Sequence, residues 1–543
     1  MRKHVVVIGA GIAGLTAAIY ARRSGFDVTL IEQHKIAGGM CTSWKRRGYL
    51  FEGGVHWLTG SNPETEAYRL WRETGALDDT TPVLLHDPFH SVDCDGQLIH
   101  LYRDIDKTAS HLIEISPEDA PRIKQLVKDV KKISKLQMPI FDVKGVKSEA
   151  PRKMTLGFLF KIVPALGALG RLGKVSCIDY VGQFKHPGLR RLFGVIPDRY
   201  TASSLIFTLA TLHIGDGGYP LGGSLAMVNR MVKTFTDLGG TLMLNTRVHR
   251  VVIEEGVATG VELEVAGAAG AELEVAGAAG DDVGESGADV SAEDAAEGDA
   301  ITDKESETAS TSTRIPNDSF IAADAVIVTQ ETISALDALF DVPLEDVWLQ
   351  DLRETTRPVT CTFVCVGVRT PLPGRILPEW ELTEPITYAD QTITELSFNN
   401  YCEYEGYAPE GCSSLTTAFI GDTYEFWKKA REEGRYAEEK KKLTEQIRRA
   451  LCLKYPQVEG KIDVIDIATP LTYERYTGAY HGSWMAMMEP GDRNKNYPGY
   501  IESVNHLYFA GHRMTTPGGF PVAAASGRIA AQLVCRDLDV VFR

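Results

Sequence analysis

Residues 5–32, VVVIGAGIAGLTAAIYARRSGFDVTLIE, decide how this chain folds. The run VVVI at 5–8 predicts a buried parallel strand, and GAGIAG at 9–14 follows it as G-x-G-x-x-G. A helix is predicted over Leu15–Ser24 and a second strand over Asp27–Ile31. This order of strand, glycine turn, helix and strand predicts the first unit of a Rossmann-type sheet that binds a dinucleotide.

The three glycines of this turn have different predicted roles. Gly9 permits the tight turn, Gly11 lets a pyrophosphate approach the backbone, and Gly14 lets the helix pack closely on the strand. Free N–H groups at the start of the helix would face the anion. Glu32, 18 residues beyond Gly14, is placed to accept hydrogen bonds from ribose hydroxyls. Because a carboxylate there would repel a 2′-phosphate, NADP is disfavoured.

Further glycines and three later blocks extend the pattern beyond a single nucleotide unit. The pairs Gly38-Gly39 and Gly53-Gly54 suit a ligand that continues past the pyrophosphate, as FAD does. The later blocks are a glycine turn, helix and hairpin at 215–263, an aromatic segment at 468–487, and LYFAGHRMTTPGGFPVAAASGRIAAQLV at 507–534. With these blocks the sequence resembles the FAD-dependent phytoene desaturase, carotenoid isomerase and retinol saturase group of the amine-oxidase-like flavoproteins.

The resemblance implies a noncovalently bound FAD and a set of contact residues. In the last block a buried strand precedes Gly511, and Pro521 suits the first turn of a helix. This chain has His512 where many related flavoproteins have Asp after the Ala-Gly pair. The residues expected at the cofactor are Gly9, Gly11, Ala13, Gly14, Glu32, Gln33, Gly38, Gly39, Met40, Val55, His56, Val248, Gly511, His512, Pro521 and Val522.

An acidic segment at 264–318 interrupts the predicted hairpin. It contains fifteen acidic residues against Lys304 and Arg314, so it carries −13 of the net charge of −16 and the other residues carry only −3. The nonapeptide ELEVAGAAG occurs twice, at 262–270 and 272–280, and the stretch after the repeat has no aromatic residue. Such a segment buries too little apolar area to offset its ordering entropy, so we predict a disordered loop. The return strand begins near Phe320.

These observations predict an α/β protein with two interleaved domains. A Rossmann-type FAD-binding domain would comprise residues 1–75, 215–335 and 495–543, including the acidic insertion. An α+β substrate domain would comprise 76–214 and 336–494.

Charge and cysteine content limit the functional classes. The remaining net charge of −3 gives no support for nucleic-acid binding. The nine cysteines are scattered and have no metal-type spacing, so we predict no metal site, no disulfide framework and a reducing, cytoplasmic location. A second G-x-G-x-x-G unit is absent from the sequence, which favours an electron acceptor such as a quinone or oxygen over a bound nicotinamide.

Residues 122–174 combine cations with an apolar run. They contain thirteen Lys or Arg against Asp129, Asp142 and Glu149, around MTLGFLFKIVPALGALGRLGKV. This pairing suits contact with an anionic membrane surface, and the alternative is an amphipathic helix with a solvated basic face. We therefore expect peripheral membrane association through this segment.

The predicted function is oxidation, reduction or isomerisation at carbon–carbon bonds of a hydrophobic polyene, isoprenoid or related lipid. His56, Tyr476 and His481 are the candidate catalytic residues, because a histidine moves protons near neutral pH and tyrosines suit an apolar tunnel. The sequence does not separate desaturation, saturation and cis–trans isomerisation. An amine or amino-acid oxidase on the same fold, and a non-catalytic prenyl-binding carrier, are the alternatives.

Overall fold

A five-stranded parallel sheet forms the centre of the nucleotide-binding region. The computed structural model describes residues 2–136, 140–152, 165–194, 196, 200–264 and 319–543. The strands of this sheet are β1 (His4–Ile8), β2 (Asp27–Ile31), β9 (Thr241–Met243), β13 (Ala325–Val328) and β21 (Leu507–Phe509). Their order is β21-β13-β1-β2-β9, and every neighbouring pair is parallel. The sheet confirms the predicted Rossmann-type class and joins strands from both ends and the middle of the chain.

Two helices pack closely beside this sheet. The N-terminal helix spans Ile12–Arg23 and the C-terminal helix spans Phe520–Asp537. At Gly527 an added Cβ would lie 2.3 Å from the carbonyl oxygen of Ala13, so the two helices touch backbone to backbone. Helix Gly223–Asp237 also packs on the N-terminal helix, and helix Glu66–Glu73 lies against the C-terminal helix.

A small antiparallel sheet flanks the parallel one. It consists of β10 (Val248–Glu254), β11 (Val257–Leu263) and β12 (Phe320–Ala322). The N–H of Leu263 donates to the carbonyl of Ser319 at 2.6 Å, so the two ends of the acidic insertion meet beside paired strands. The disorder predicted for 264–318 falls on residues that, from 265 onward, lie outside the described ranges.

A seven-stranded sheet organises the rest of the chain, in the order β19-β15-β18-β17-β16-β6-β7. Its strands are β6 (His90–Cys94), β7 (Gln97–Leu101), β15 (Cys361–Val368), β16 (Ile376–Tyr388), β17 (Gln391–Asn400), β18 (Ser413–Ile420) and β19 (Ile462–Ala468). Three short pairs complete the strands: β3 (Ser43–Arg46) with β4 (Tyr49–Glu52), β5 (Val83–Leu84) with β8 (Tyr219–Pro220), and β14 (Pro358–Val359) with β20 (Met485–Ala486).

The remaining helices form three groups with separate apolar cores. The first group packs beside β6 and β7 and contains Ile105–Ile115, Ala120–Ile133, Cys177–Val181, Pro187–Leu192 and Ala202–His213, with residues 165–172 also helical. The second group packs on the seven-stranded sheet and contains Tyr424–Glu432, Tyr436–Lys454 and Pro470–Thr477. The third group contains Thr332–Ala338 and Val347–Thr355 and packs beside the parallel sheet.

Residues 140–152 lie against the C-terminal helix. The Asp142 carboxylate accepts hydrogen bonds from Arg528 at 2.7 Å and from Gln532 at 2.6 Å, and both arginine and carboxylate are buried. The N–H of Glu149 donates to the carbonyl of Phe542. This stretch therefore contacts the parallel-sheet region although it falls within the predicted substrate domain. The domain boundaries themselves stay a prediction.

The predicted membrane segment is described only in part, because residues 153–164 fall outside the ranges above. Its described portion includes helix Ala120–Ile133 and helical residues 165–172. Among the helices that the structure describes, none is long and apolar enough to cross a bilayer.

Candidate active site

A single cavity of about 2450 Å³ runs from the parallel sheet to the seven-stranded sheet. Sites for one drug-sized ligand usually measure about 300–1,000 Å³. The cavity therefore has room for a dinucleotide and a second large ligand in one continuous space.

The end beside the parallel sheet is formed by the glycine turn. Gly9 has φ of +97°, which favours glycine, and a Cβ at Gly14 would lie 1.8 Å from the Gly9 carbonyl oxygen. Gly11 differs, because its φ is −72° and an added Cβ would meet only the Gly38 carbonyl oxygen, at 3.9 Å. Packing explains the glycines at 9 and 14, and open cavity space explains the one at 11.

Glu32 lies at the same end and its carboxylate is held by the backbone. It accepts hydrogen bonds from the N–H of Ala10 at 2.8 Å and from the N–H of His34 at 2.9 Å. The side chain lines the cavity beside Gln33. A carboxylate fixed in this way has remaining lone pairs for ribose hydroxyls.

The C-terminal helix brings a second helix N-terminus to the cavity. Gly518 and Gly519, both with φ above +100°, lead into Phe520, and Pro521 occupies the first turn. Residues from Gly518 to Ala523 line the cavity. The N-terminal ends of helices Ile12–Arg23 and Phe520–Asp537 thus open to one space, which favours a ligand with more than one anionic or electron-rich group.

Most of the predicted cofactor residues line this cavity. They are Gly9, Gly11, Ala13, Glu32, Gln33, Gly38, Gly39, Met40, His56, Val248, Gly511, His512, Pro521 and Val522. Gly14 and Val55 do not line the cavity and lie behind residues that do. The N–H of Val55 donates to the Ser224 hydroxyl at 2.9 Å and to Glu52, a fully buried carboxylate.

Two of the predicted histidines stay neutral at physiological pH. Burial lowers the pKa of His56 to about 4, and burial lowers the pKa of His512 well below its ordinary value. The Nδ1 atoms of both rings are buried and have no hydrogen-bond partner among the described residues. A neutral imidazole has one donor and one acceptor nitrogen, so each ring can form a hydrogen bond with a ligand in the cavity.

The other two candidate catalytic residues lie elsewhere. Tyr476 lines the cavity at the Glu32 end, is 45% exposed, and packs edge-on against His34. His481 does not line the cavity and stacks between Tyr424 and Tyr480, with ring centroids 4.3 and 4.0 Å away. A catalytic role for these residues stays a prediction, as does that of His56, which lines the cavity and stacks on Phe363.

A buried ion pair that the sequence reasoning missed lies beside His512. The Arg513 Nε donates to Glu331 at 3.1 Å, and its Nη2 donates to the Ser483 hydroxyl. The side chains of Arg513 and Glu331 are 2% and 4% exposed. Since the three residues come from separate segments, the local pattern of the chain offered no signal for this pair.

A tyrosine cluster with Arg375 and His86 borders the cavity near the buried Glu52, and the sequence reasoning missed it as well. The hydroxyls of Tyr219 and Tyr407 share a hydrogen bond of 2.5 Å, and the Tyr404 hydroxyl and His86 Nε2 share one of 3.1 Å. Arg375 lies over the Tyr404 ring at 4.7 Å from its centroid. The spacing of three residues between Tyr401, Tyr404 and Tyr407 was a usable signal, because such a run turns several phenols towards one side.

The residues present fit FAD at the parallel-sheet end. Gly11 leaves space that no protein atom fills, the N-terminal ends of two helices line the same cavity, and Glu32 offers acceptors. His56 and His512 line it as well. Within the described ranges, no three His, Cys, Asp or Glu side chains group closely enough to hold a metal ion, and all nine cysteines are free thiols.

Comparison with known proteins gives two matching family models. Residues 7–74 match a model for an NAD(P)-binding Rossmann-like domain. Residues 300–535 match a model for flavin containing amine oxidoreductases. The two matches cover the glycine turn at one end and the C-terminal helix at the other.

Curated relatives include enzymes of carotenoid chemistry. The chain is 28% identical over 270 residues to the neurosporene-forming phytoene desaturase of Rhodobacter capsulatus, covering 48% of this chain and 49% of that protein. It is 26% identical over 272 residues to 4,4'-diaponeurosporene oxygenase of Staphylococcus aureus, covering 49% and 53%. The chain spans about half the length of the curated relatives it matches.

Solved structures with the same fold are more distant in sequence. A putrescine oxidase bound to putrescine has a TM-score of 0.55 at 16% identity, covering 98% of this chain and 99% of that one. Cyclohexylamine oxidase from Brevibacterium oxydans has a TM-score of 0.53 at 14% identity, covering 99% and 100%. At these identities the likeness shows the fold alone.

Proposed function

Since this chain belongs to the amine-oxidase-like flavoproteins of the phytoene desaturase type and uses FAD, we propose that it oxidises, reduces or isomerises carbon–carbon bonds of a long hydrophobic polyene, isoprenoid or related lipid. The single observation that carries this proposal is the continuity of the cavity. The dinucleotide end opens directly into a chamber large enough for a second long ligand.

The walls of the second chamber favour an apolar substrate. Phe363 packs against His56, and Phe89 packs edge-on against Trp57 at 5.6 Å between centroids. These side chains line the cavity together with Phe207. An extended polyene would bury its surface against such rings and displace water from the site.

FAD, when bound, supplies two-electron redox chemistry, and the chain supplies binding, orientation and protons. His56 would act as a neutral ring that donates or accepts a hydrogen bond, because burial lowers its pKa to about 4, which makes it a weak base at pH 7. The buried walls would exclude water, which would otherwise compete for reactive positions of the substrate.

The charges in the cavity weigh against an amine substrate. Glu331 and Glu379, two carboxylates that line it, are each paired with an arginine, Arg513 and Arg191. An ammonium group near either pair would therefore meet a carboxylate that an arginine already neutralises, whereas Glu32 and Asp422 line the cavity without an ion pair among the described residues. The pairing at Glu331 and Glu379 favours the polyene proposal over an amine oxidase.

We further propose that a quinone or oxygen accepts the electrons in any net oxidation. The support is the sequence, in which one G-x-G-x-x-G unit serves FAD and no second unit is available for a bound nicotinamide.

Association with a membrane surface is the proposed route for substrate delivery. Leu166 and Phe207, which are 52% and 39% exposed, both line the cavity and give its mouth an apolar rim. Helix Ala120–Ile133 shares a core with helix Ala202–His213, which carries Phe207. Its exposed lysines recur along one face at Lys124, Lys128 and Lys132, and the exposed Lys135 follows two residues after the helix ends. Each cation near an anionic surface contributes about 1 kcal/mol.

Vesicle sedimentation tests this route. Replacing Lys124, Lys128, Lys132 and Lys135 with Glu should weaken binding to phosphatidylserine vesicles and leave FAD content unchanged. Arg171 is unsuitable for such a test, because its Nη2 pairs at 2.7 Å with the buried Asp129 and reversal would place two carboxylates together. The matched control changes four exposed lysines of another surface to Glu: Lys428, Lys429, Lys441 and Lys442. Equal loss of binding in both variants would contradict a specific surface.

The function itself is tested by mass spectrometry of lipids. A polyene-producing host expressing the protein should accumulate a product whose mass is two hydrogens lower, two higher, or unchanged with altered absorption, for desaturation, saturation or isomerisation. Ala418→Trp should abolish the product, because Ala418 lines the cavity and is solvent-facing there. Ala437→Trp, at an exposed position outside the cavity lining, is the control. An unchanged lipid profile with a yellow, FAD-loaded protein would overturn the proposal.

A further inference from the structure

Two polar side chains of β17 project from the face of the seven-stranded sheet that borders the second chamber. Leu396 and Phe398 of this strand belong to the apolar core on the other face of the sheet. Ser397 and Asn399 alternate with them, so their side chains project from the opposite face. Both residues line the cavity.

Strand pairing shows that this face also carries the aromatic wall of the chamber. Asn399 is paired with Thr416 of β18, and Thr416 is paired with Cys365 of β15. Because paired residues project from the same face, Phe363, two residues before Cys365, shares that face with Ser397 and Asn399. The strands β17 and β15 are two strand spacings apart, about 10 Å. One strand, β18, therefore separates the polar side chains from the aromatic wall.

The side chains of Ser397 and Asn399 have no hydrogen-bond partner among the residues that the structure describes. Both residues are partly buried, and their polar atoms keep accessible surface. Neighbouring polar side chains are satisfied by the protein itself. The Asn400 amide donates to two backbone carbonyls at 2.8 and 2.7 Å, and the Ser414 hydroxyl donates to a third at 2.8 Å. The polar side chains of β17 that face the chamber therefore remain available to a ligand.

A carboxylate lies beside them on the next strand. The pairings that flank Glu379 in β16 place it across from Ser397, and Glu379 also lines the cavity. Its Oε1 accepts a hydrogen bond from Arg191 Nε at 3.3 Å. Its Oε2 has no partner within the described ranges and keeps accessible surface. The group of three side chains thus contains an additional acceptor.

This group matches a ligand atom that both donates and accepts a hydrogen bond. The Asn399 amide offers donors and an acceptor, the Ser397 hydroxyl offers both, and an ionised Glu379 only accepts. A hydroxyl group satisfies this set, whereas a carboxylate would face the charge of Glu379. A hydrocarbon chain end would displace water from these side chains and leave them unpaired, which is costly in a buried site. Sites built to bind a hydroxyl reject analogues that lack it for this reason.

We propose that Ser397 and Asn399 bind a hydroxyl group at one end of the substrate, and that the substrate is a long isoprenoid alcohol. The inference rests on the proposed function and narrows its substrate class. The hydroxyl end would lie on β17, and the apolar chain would cross β18 towards Phe363, which packs against His56. Ser397 and Asn399 would thereby select the substrate and its direction in the chamber, and they take no part in the chemistry.

Equilibrium binding of two matched ligands to the FAD-loaded protein tests this proposal. The ligands are all-trans-geranylgeraniol and the hydrocarbon in which hydrogen replaces its hydroxyl group. The readout is tryptophan fluorescence, because Trp57 and Trp484 line the cavity. The ratio of alcohol affinity to hydrocarbon affinity is compared between variants, so that partitioning of each ligand into detergent cancels.

Asn399→Leu should lower this ratio about tenfold, the range for one hydrogen bond left unmade in a buried site. The loss should come from weaker binding of the alcohol, with the hydrocarbon bound as well as before. Ser397→Ala should lower the ratio as well, and Ser397→Thr, which keeps the hydroxyl, should lower it less.

The control is Asn494→Leu, which removes the amide of an exposed, cavity-lining residue outside the sheet. This variant should keep the wild-type ratio, and FAD absorbance should be unchanged in all variants. An unchanged ratio in both Asn399→Leu and Ser397→Ala would overturn the inference and leave the polyene function standing. The inference also fails if Asn494→Leu lowers the ratio as much as Asn399→Leu, or if geranylgeranoic acid binds more tightly than the alcohol. Failure of both the alcohol and the hydrocarbon to bind would overturn the proposed function as well.

Discussion

Two glycines of the same turn should respond to substitution in opposite ways. At Gly11 an added Cβ meets no protein atom closer than 3.9 Å, whereas a Cβ at Gly14 would lie 1.8 Å from the Gly9 carbonyl oxygen and 2.7 Å from Thr329 Oγ1. Gly11→Val should therefore keep the fold and lose FAD. Gly14→Ala should lose the fold's stability, because the backbone of the turn has to move.

The expected magnitudes follow from these distances. A valine at Gly11 fills space where a pyrophosphate would approach the first N–H groups of helix Ile12–Arg23, whose first turn no described side chain caps. Losing two charge-assisted hydrogen bonds of about 1.5–3 kcal/mol each lowers affinity by about 10²–10⁴-fold. The stability of the FAD-free protein should change by less than about 1 kcal/mol, since the φ of −72° suits any residue. Overpacking at Gly14 should cost about 3 kcal/mol or more.

Flavin absorbance per protein and urea unfolding of the FAD-free protein measure the two effects separately. Gly11→Val should give colourless protein with an unchanged urea midpoint. Gly14→Ala should give a clearly lower midpoint even before FAD is considered. Full flavin absorbance in Gly11→Val would refute the position assigned to the pyrophosphate, and equal destabilisation by both substitutions would refute the distinction between ligand space and packing.

Three further outcomes are expected. Deleting 266–316 should leave FAD content and thermal stability nearly unchanged, because loop closure costs grow slowly with length; loss of FAD would show that the segment is structural. The pKa of His56 is 6.5 in the unfolded state and about 4 in the folded state, so the unfolded state binds more protons between these values. The free energy of unfolding should therefore fall by about 2 kcal/mol as the pH drops from 7 to 5. Urea unfolding of His56→Gln should lack that share of the pH dependence. Arg528→Met should cost about 3–5 kcal/mol by stranding buried Asp142, and adding Asp142→Asn should recover part of it in the same assay.

The nucleotide-binding half of the fold was predictable because its signals are local. The strand β2 has the predicted bounds, β1 begins one residue earlier than the predicted strand, and the helix begins at Ile12 where Leu15 was predicted. Glycine spacing is tied directly to turn geometry and to close backbone contacts, so a short stretch of sequence specifies the structure. The same reasoning holds for Pro521, which lies in the first turn of the C-terminal helix.

The position of the aromatic segment after Thr469 was harder to predict. Helix Pro470–Thr477 turns Tyr473 into a partly buried position beside Cys361, while Tyr476 remains half exposed. His481 adopts φ of +52°, and its ring stacks on Tyr424 instead of facing the cavity. Both outcomes depend on packing against distant strands, and composition carries no information about that.

The charge state of the cavity's histidines affects how a polyene would be held. His56, His90 and His512 have lowered pKa values through burial, so these rings are neutral at pH 7. A polyene has no polar group along its chain, and apolar walls alone allow it to slide and bind in several registers, because hydrophobic contact is non-directional. Apolar burial would therefore provide affinity, and the position of the reacting bond would depend on the length and shape of the chamber.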